Sequence, residues 1–294
     1  MRKSINQFLR AYRLKLVPIK EDFEPIHLDK TVTNPACLNY LGNKQPVVME
    51  ASLDLGRALP LFSFTKQSRH PYVMAIQQAL KSDSPRNKIK ATLNSYYKSF
   101  QPETAAELVG LDSTHTLHKE PYWAIVLPWN NDSADQMKAR IQKSVAWENK
   151  TNGASLGIAD GWAWAGPVSD YKLEVETDRL FNIFESVRKN GYKRNDSADG
   201  DIQAYVLMAE NGEWVWQAQV GLHRASTVAG LAYKQIPIRI SKIIYRAEAD
   251  FWPNVMSGLY SKEDALKIFD MIFYGQYPAE AANWSEKMKL DCAI

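Results

Sequence analysis

Two β-rich runs separated by Asn211-Gly212 constrain this chain more than any other feature. Ile202 to Met208 forms the first run. Glu213 to Gln219 forms the second, with Trp214 and Trp216 alternating with Val215. Asn-Gly tolerates the positive φ angles that a tight hairpin turn of the right twist requires. The pair therefore predicts an antiparallel hairpin, and a lone hairpin needs a further strand or a helix to cover its apolar face. Upstream, Leu180, Ile183, Phe184 and Val187 repeat at helical spacing between Arg179 and Lys189, and Asn190-Gly191 stops that helix. Downstream, Gly221 follows the second strand, and His223 to Leu231 predicts a helix with Val228 and Leu231 inward. Lys234-Gln235 turns the chain and Ile236 to Ile240 predicts a strand. Its Pro237 fits an edge strand or the first residues of a strand, because proline cannot donate to a ladder. Helices and strands in this order over 165–245 predict a small mixed sheet with helices, and so an α+β fold.

The flanks read differently. Residues 1–150 predict a helical and irregular N-terminal region, 151–250 carry the hairpin segment, and 251–294 predict a C-terminal loop and helix. Pro18, Pro25, Pro35, Pro46 and Pro60 predict loops with short extended pieces over 18–60. Pro71 suits a first helical position, ahead of Val73, Met74, Ile76, Ala79 and Leu80. Ile89, Leu93, Tyr96 and Tyr97 give a second helical stripe, and a short helix from Pro102 to Leu108 closes at Gly110. Tyr122 to Trp129 predicts a buried strand ended by Pro128, and 134–147 predicts another helix. Ser261 with Asp264 predicts the start of a helix carrying Ala265, Leu266, Ile268, Phe269, Ile272 and Phe273 on one face. Residues 1–20 hold six basic side chains (Arg2, Lys3, Arg10, Arg13, Lys15 and Lys20) and no acid. Phe8, Leu9, Tyr12 and Leu16 give them one apolar stripe, which predicts a solvated helix docked on the body. An organellar presequence or a membrane-surface helix shares that pattern.

Composition excludes several classes. A chain of 294 residues can bury a core without disulfides or metals, and length alone suggests about two domains. With 45% hydrophobic and 23% charged residues it is not globally disordered. A net charge of +3 makes neither nucleic acid nor an anionic membrane the default partner. No run of apolar residues is long enough for a transmembrane helix. Two cysteines, Cys37 and Cys292, form neither a CxxC nor a disulfide framework, which fits a reducing compartment and a cytoplasmic protein.

The sharpest constellation is Gly221-Leu222-His223-Arg224-Ala225-Ser226, where a strand end meets a helix start. A helix N-terminus presents unpaired amides and partial positive charge, which suits an anion. Gly221 lets backbone approach a phosphate, His223 and Arg224 add donors, and Ser226 caps the helix or touches a phosphate oxygen. The alternative is structural, with Arg224 paired to a surface acid and His223 satisfied in the core.

This turn, with Leu231-Ala232-Tyr233 and Ile236-Pro237-Ile238-Arg239, resembles the G-x-H-R … L-G-x-x-x-I-P-V signature of the ParB/sulfiredoxin superfamily. Ser186 to Gly191 resembles that family's S-I-x-x-x-G element. The resemblance spans 165–245. It implies a nucleotide bound through its phosphates by Gly221, His223, Arg224 and Ser226, with ATP or another nucleoside triphosphate and Mg²⁺ as cofactors. It also implies a phosphotransferase acting on a small molecule. Leu222 stands where sulfiredoxins carry their cysteine, which argues against the reductase chemistry. Little chain follows Tyr245, which argues against a DNA-partitioning protein, so no DNA partner is expected. In the kinase-like members an acid upstream of the turn serves as base. Glu174, Glu176 and Asp178 are the candidates, placed before the helix at 180, and Glu176 is preferred, with His223 as the other catalytic candidate; Glu176 and Arg179 can share one helical face. The other reading of these acids is an N-terminal turn that favours the helix dipole. Ala232 replaces the usual glycine. A wider resemblance, through His70-Pro71-Tyr72-Val73, Pro128-Trp129, Gly166-Pro167-Val168-Ser169 and Trp252-Pro253-Asn254-Val255, is to an uncharacterised bacterial family similar to proteins encoded among cell-surface polysaccharide biosynthesis genes.

Two other functions remain open: a non-catalytic nucleotide-binding or regulatory module, and a hydrolase using Ser155 in Gly153-Ala154-Ser155-Leu156-Gly157. A nucleophile elbow needs a strand before the serine and a helix after it. His115 and His118 have ligand-like spacing, but no third ligand is near in sequence. Trp162/Trp164 and Trp214/Trp216 fit strand faces.

Overall fold

The computed structural model describes residues 25–41, 46–58, 62–65, 69–194, 201–278, 281, 283 and 284. The basic segment 1–20 and Cys292 lie outside the described residues. The strands are β1 (Ile26–His27), β2 (Val47–Ser52), β3 (Gly56–Arg57), β4 (Gln203–Met208), β5 (Trp214–Val220) and β6 (Gln235–Tyr245). They form one mixed sheet in the order β1-β2-β6-β4-β5-β3. The helices are α1 (Pro71–Ala79), α2 (Pro85–Ser99), α3 (Ala105–Leu108), α4 (Ala134–Thr151), α5 (Asp170–Asn190), α6 (Leu222–Gly230), α7 (Pro253–Met256) and α8 (Lys262–Phe273). The fold is thus α+β, with a C-terminal helix.

The expected hairpin is present: β4 and β5 pair antiparallel, with Gly212 at φ 82 in the turn. β6 lies inside the sheet, antiparallel to β2 and parallel to β4. Pro237 is tolerated because it pairs only with Glu50 of β2; β4 joins two residues later, at Arg239. Segment 18–60 contributes β1, β2 and β3, so strands from both halves of the chain share one sheet. The sheet curls enough for the Trp216 indole N–H of β5 to reach the Ser52 carbonyl of β2 at 2.8 Å, and Phe64 stacks on that indole.

The helices α1, α2, α5 and α6 pack together, and α6 also touches β5. Gly230 brings α6 close to α1: a Cβ there would sit 2.6 Å from Ile76. Buried Arg57 ties the sheet to α8, donating to the carbonyls of Ile272 and Phe273 at its last turn. Among the described residues no helix is long and apolar enough to cross a membrane.

Several elements differ from expectation. Tyr122 to Trp129 is not a strand; it makes one 3₁₀ turn and then runs irregularly through the core. Side chains replace strand partners: Asn254 Nδ2 donates to the Leu127 carbonyl at 3.1 Å, the Tyr260 hydroxyl donates to that of Val126, and Asn130 Oδ1 accepts the Leu127 amide at 2.8 Å. Buried polar backbone needs partners of some kind, and here they are not a ladder. The third helix starts at Ala105, capped by Thr104 rather than opened by Pro102. Trp162 and Trp164 sit in a turn closed by a Trp162–Ala165 bridge, not on a strand.

Candidate functional site

The start of α6 is set by Gly221, whose φ of 82 and ψ of 23 are left-handed. A side chain there would be strained and would meet Ile202 at 3.2 Å and the Asp201 carbonyl at 3.3 Å. Among the described residues no side chain caps the helix, so its first amides face the turn. Arg224 folds back over this turn. Its Nη2 donates to the Asp201 carbonyl at 3.1 Å and lies 3.2 Å from where a Gly221 Cβ would be. Arg194 and Arg239 meet at the same corner on the buried Asp201 carboxylate, Arg194 Nε at 2.7 Å and Arg239 Nη1 at 3.5 Å.

Beneath the turn lies a buried polar network. His223 Nε2 is 2.7 Å from Glu176 Oε2, across 47 residues of sequence. The Tyr72 hydroxyl donates to the same oxygen at 3.2 Å. Glu176 Oε1 accepts from Lys172 Nζ at 2.5 Å, and that ammonium also donates to Asn149 Oδ1 at 2.7 Å. Arg179 Nη1 stands 4.0 Å from Glu176 and 2.5 Å from Glu148. The Tyr72 and Tyr97 hydroxyls both reach the Ala163 carbonyl, and the Tyr72 ring lies 4.8 Å from that of His223. Glu176 is 0% exposed and His223 5%.

Burial works against the Glu176 charge, but the His223 hydrogen bond and the Lys172 and Arg179 charges outweigh it, so its carboxyl stays below the usual carboxylate range. Burial pushes the His223 imidazole down, as does Arg179, with Glu176 pulling the other way. His70, whose Nδ1 accepts the Tyr72 amide at the start of α1, is pushed down to about 3 by burial and by His223.

The structure therefore brings Glu176, His223, Gly221 and Arg224 to one place. Ser226 is not a cap: it is fully buried one turn in, and its hydroxyl has no partner among the described residues. Glu174, Glu176 and Asp178 do not precede a helix starting at 180. They lie inside α5, which begins at Asp170 under a Ser169 cap, so they form no N-terminal acidic turn. Glu174 pairs with Arg86 and Lys90 of α2, and Asp178 with Arg86, on the outer face.

The other motifs do not assemble. Ser155 follows helix α4 and is exposed, with no strand before it, so the nucleophile elbow is absent. His115 Nδ1 accepts the Leu117 amide. Its proton therefore sits on Nε2, and metal binding there would demand an imidazolate. Among the described residues no three His, Cys, Asp or Glu side chains could share a metal ion.

Tyr72, Lys172, Asn149 and His70 were not identified from sequence as site residues. Lys172 and Glu176 do stand four apart, the spacing of a helical ion pair, which was a usable signal. Nothing local marked Asn149 or Tyr72. No family model, curated protein or solved structure matches the chain.

Proposed function

We propose that this protein binds a nucleoside triphosphate, as its Mg²⁺ chelate, at the start of α6 and transfers a phosphoryl group to a small molecule. The reading begins from the ParB/sulfiredoxin-like resemblance of 165–245. The observation that carries it is the Glu176–His223 pair set directly behind an uncapped, glycine-opened helix start. Gly221 gives phosphate oxygens access to the first amides of α6, where the helix dipole favours negative charge. Arg224 places a guanidinium beside them, a planar group matched to phosphate. Sugars are the first acceptors to offer, because the wider resemblance is to proteins from polysaccharide gene clusters.

A second reading, a non-catalytic nucleotide-binding module, is favoured by one feature. A carboxylate as enclosed as Glu176 takes no proton directly from a substrate.

Isothermal titration with ATP, CTP and ADP in Mg²⁺ tests the site. Binding by the wild type and at least tenfold weaker binding by Arg224→Ala, with an unchanged thermal melt, are expected. No binding of any of the three overturns the proposal. Phosphate release or a phosphorylated acceptor then distinguishes enzyme from module.

A further inference from the structure

We infer that Nδ1 of His223 is the proton acceptor of this site and that Glu176 is its positioning residue. This rests on the nucleotide reading above but assigns the chemistry to a different atom than an acid acting as base. Glu176 receives Lys172 on one oxygen and Tyr72 on the other. A carboxylate held ionised in this way only accepts hydrogen bonds, so His223 Nε2, 2.7 Å away, carries the ring proton. In a neutral imidazole the lone pair is then on Nδ1. That atom has no partner among the described residues, nor is it one of the sealed, unpartnered polar atoms of the core. His223 as a whole keeps 5% exposure, in the first turn of α6 two residues from Gly221. Glu176, by contrast, has no exposed surface. The geometry is a carboxylate–imidazole pair in which Glu176 holds Nε2 and leaves Nδ1 as the ring nitrogen open to a substrate.

Charged and titratable groups from each neighbouring element surround the Glu176–His223 pair and its partners. Glu176, Lys172 and Arg179 belong to α5, Tyr72 to α1, Tyr97 to α2 and Glu148 to α4; His70 precedes α1. Arg224 follows in α6 itself. Burial and Arg179 keep the imidazole neutral near pH 7, as a base requires.

In the transfer step, the acceptor hydroxyl oxygen bonds to the terminal phosphorus of the triphosphate. The bond from that phosphorus to the nucleoside diphosphate breaks, and the diphosphate leaves with the electron pair. The hydroxyl proton passes to Nδ1. The imidazolium so formed is stabilised by Glu176 through Nε2, and later releases its proton to water.

Hydrolysis of Mg·ATP by the full chain, with water as acceptor, tests this across pH. The wild-type kcat/KM should fall on the acid side with one ionisation. Glu176→Gln keeps the shape but removes the charge that raises the His223 pKa. Its acid limb should move about one unit or more to lower pH and kcat should fall at least tenfold, with KM for ATP little changed. His223→Asn should lose the limb and at least a hundredfold in rate. ATP binding without such hydrolysis, an unaltered limb in His223→Asn, or acid-labile phosphate on His223 would each overturn the inference while leaving the binding reading standing. Absent ATP binding removes the nucleotide reading as well. Independently of ATP and of variant folding, ¹⁵N NMR of the wild type should show a protonated Nε2 and a bare Nδ1; the opposite tautomer refutes the assignment.

Discussion

Glu174 and Glu176 are two residues apart on α5 and occupy opposite electrostatic worlds. Glu174 has a side chain 38% exposed and pairs with Arg86 and Lys90 across the outer α2–α5 seam. Its hydrogen bonds from Lys90 and Arg86 lower its pKa, yet water screens the whole cluster. Glu176 has no exposed surface and its partners have almost none: Lys172 is 1% exposed and His223 5%. A residue advances 100° around a helix, so a two-residue step crosses from one face to the other, while Lys172 and Glu176, four apart, stay together. The lesson is that pairing chemistry is the same on both faces, and burial alone decides whether breaking it is costly.

The sharpest way to break this contrast is Glu176→Ala. It strands the Lys172 ammonium in the core and should cost about 3–5 kcal/mol of unfolding free energy by urea titration. A loss below about 1 kcal/mol would place Glu176 with Glu174 and dissolve the distinction.

Acid should act on the inner face next. His70 is held neutral by burial, with its pKa pushed down to about 3 from an ordinary 6.5. A depressed folded-state value means that the unfolded chain binds the proton first as pH falls. The stabilisation is complete above pH 6.5 and declines from there toward pH 3. Between pH 7 and 5 the loss from His70 alone is about 2 kcal/mol, and His223 adds in the same direction. Urea titrations at the two pH values should show it, and His70→Asn, which keeps an oxygen to cap α1, should flatten the slope.

The smallest effect belongs to the outer face. Glu174→Ala should cost less than about 1 kcal/mol, and 1 M salt should shrink the difference further. An undiminished effect in salt would show that the outer cluster is shielded from water.

Much of the fold was legible because it depended on neighbours in sequence. The Asn211-Gly212 hairpin, the helix ended by Gly191, the Pro71 start of α1 and the Ser261 start of α8 are local, and all appear. The glycine that opens α6 was legible for the same reason. The apolar run Tyr122 to Trp129 has the composition of a buried strand, but its backbone partners are Asn254 and Tyr260, more than a hundred residues on. The start of α5 is hard to read from sequence because Asp170 to Asp178 alternates charge with apolar residues, and only the Ser169 cap marks where it begins. Ala232, after α6, takes a left-handed φ of 63, a conformation that glycine adopts more readily.

What the sequence by itself determined is the set of local conformations: turns, caps and helical faces, whose energetics involve residues a few positions apart. Tertiary structure alone decided which acid of α5 enters the core, which nitrogen of His223 is occupied, and that Tyr72 and Asn149 complete the network. Those outcomes depend on desolvation and on hydrogen bonds between distant segments, and neither exists until the helices have packed.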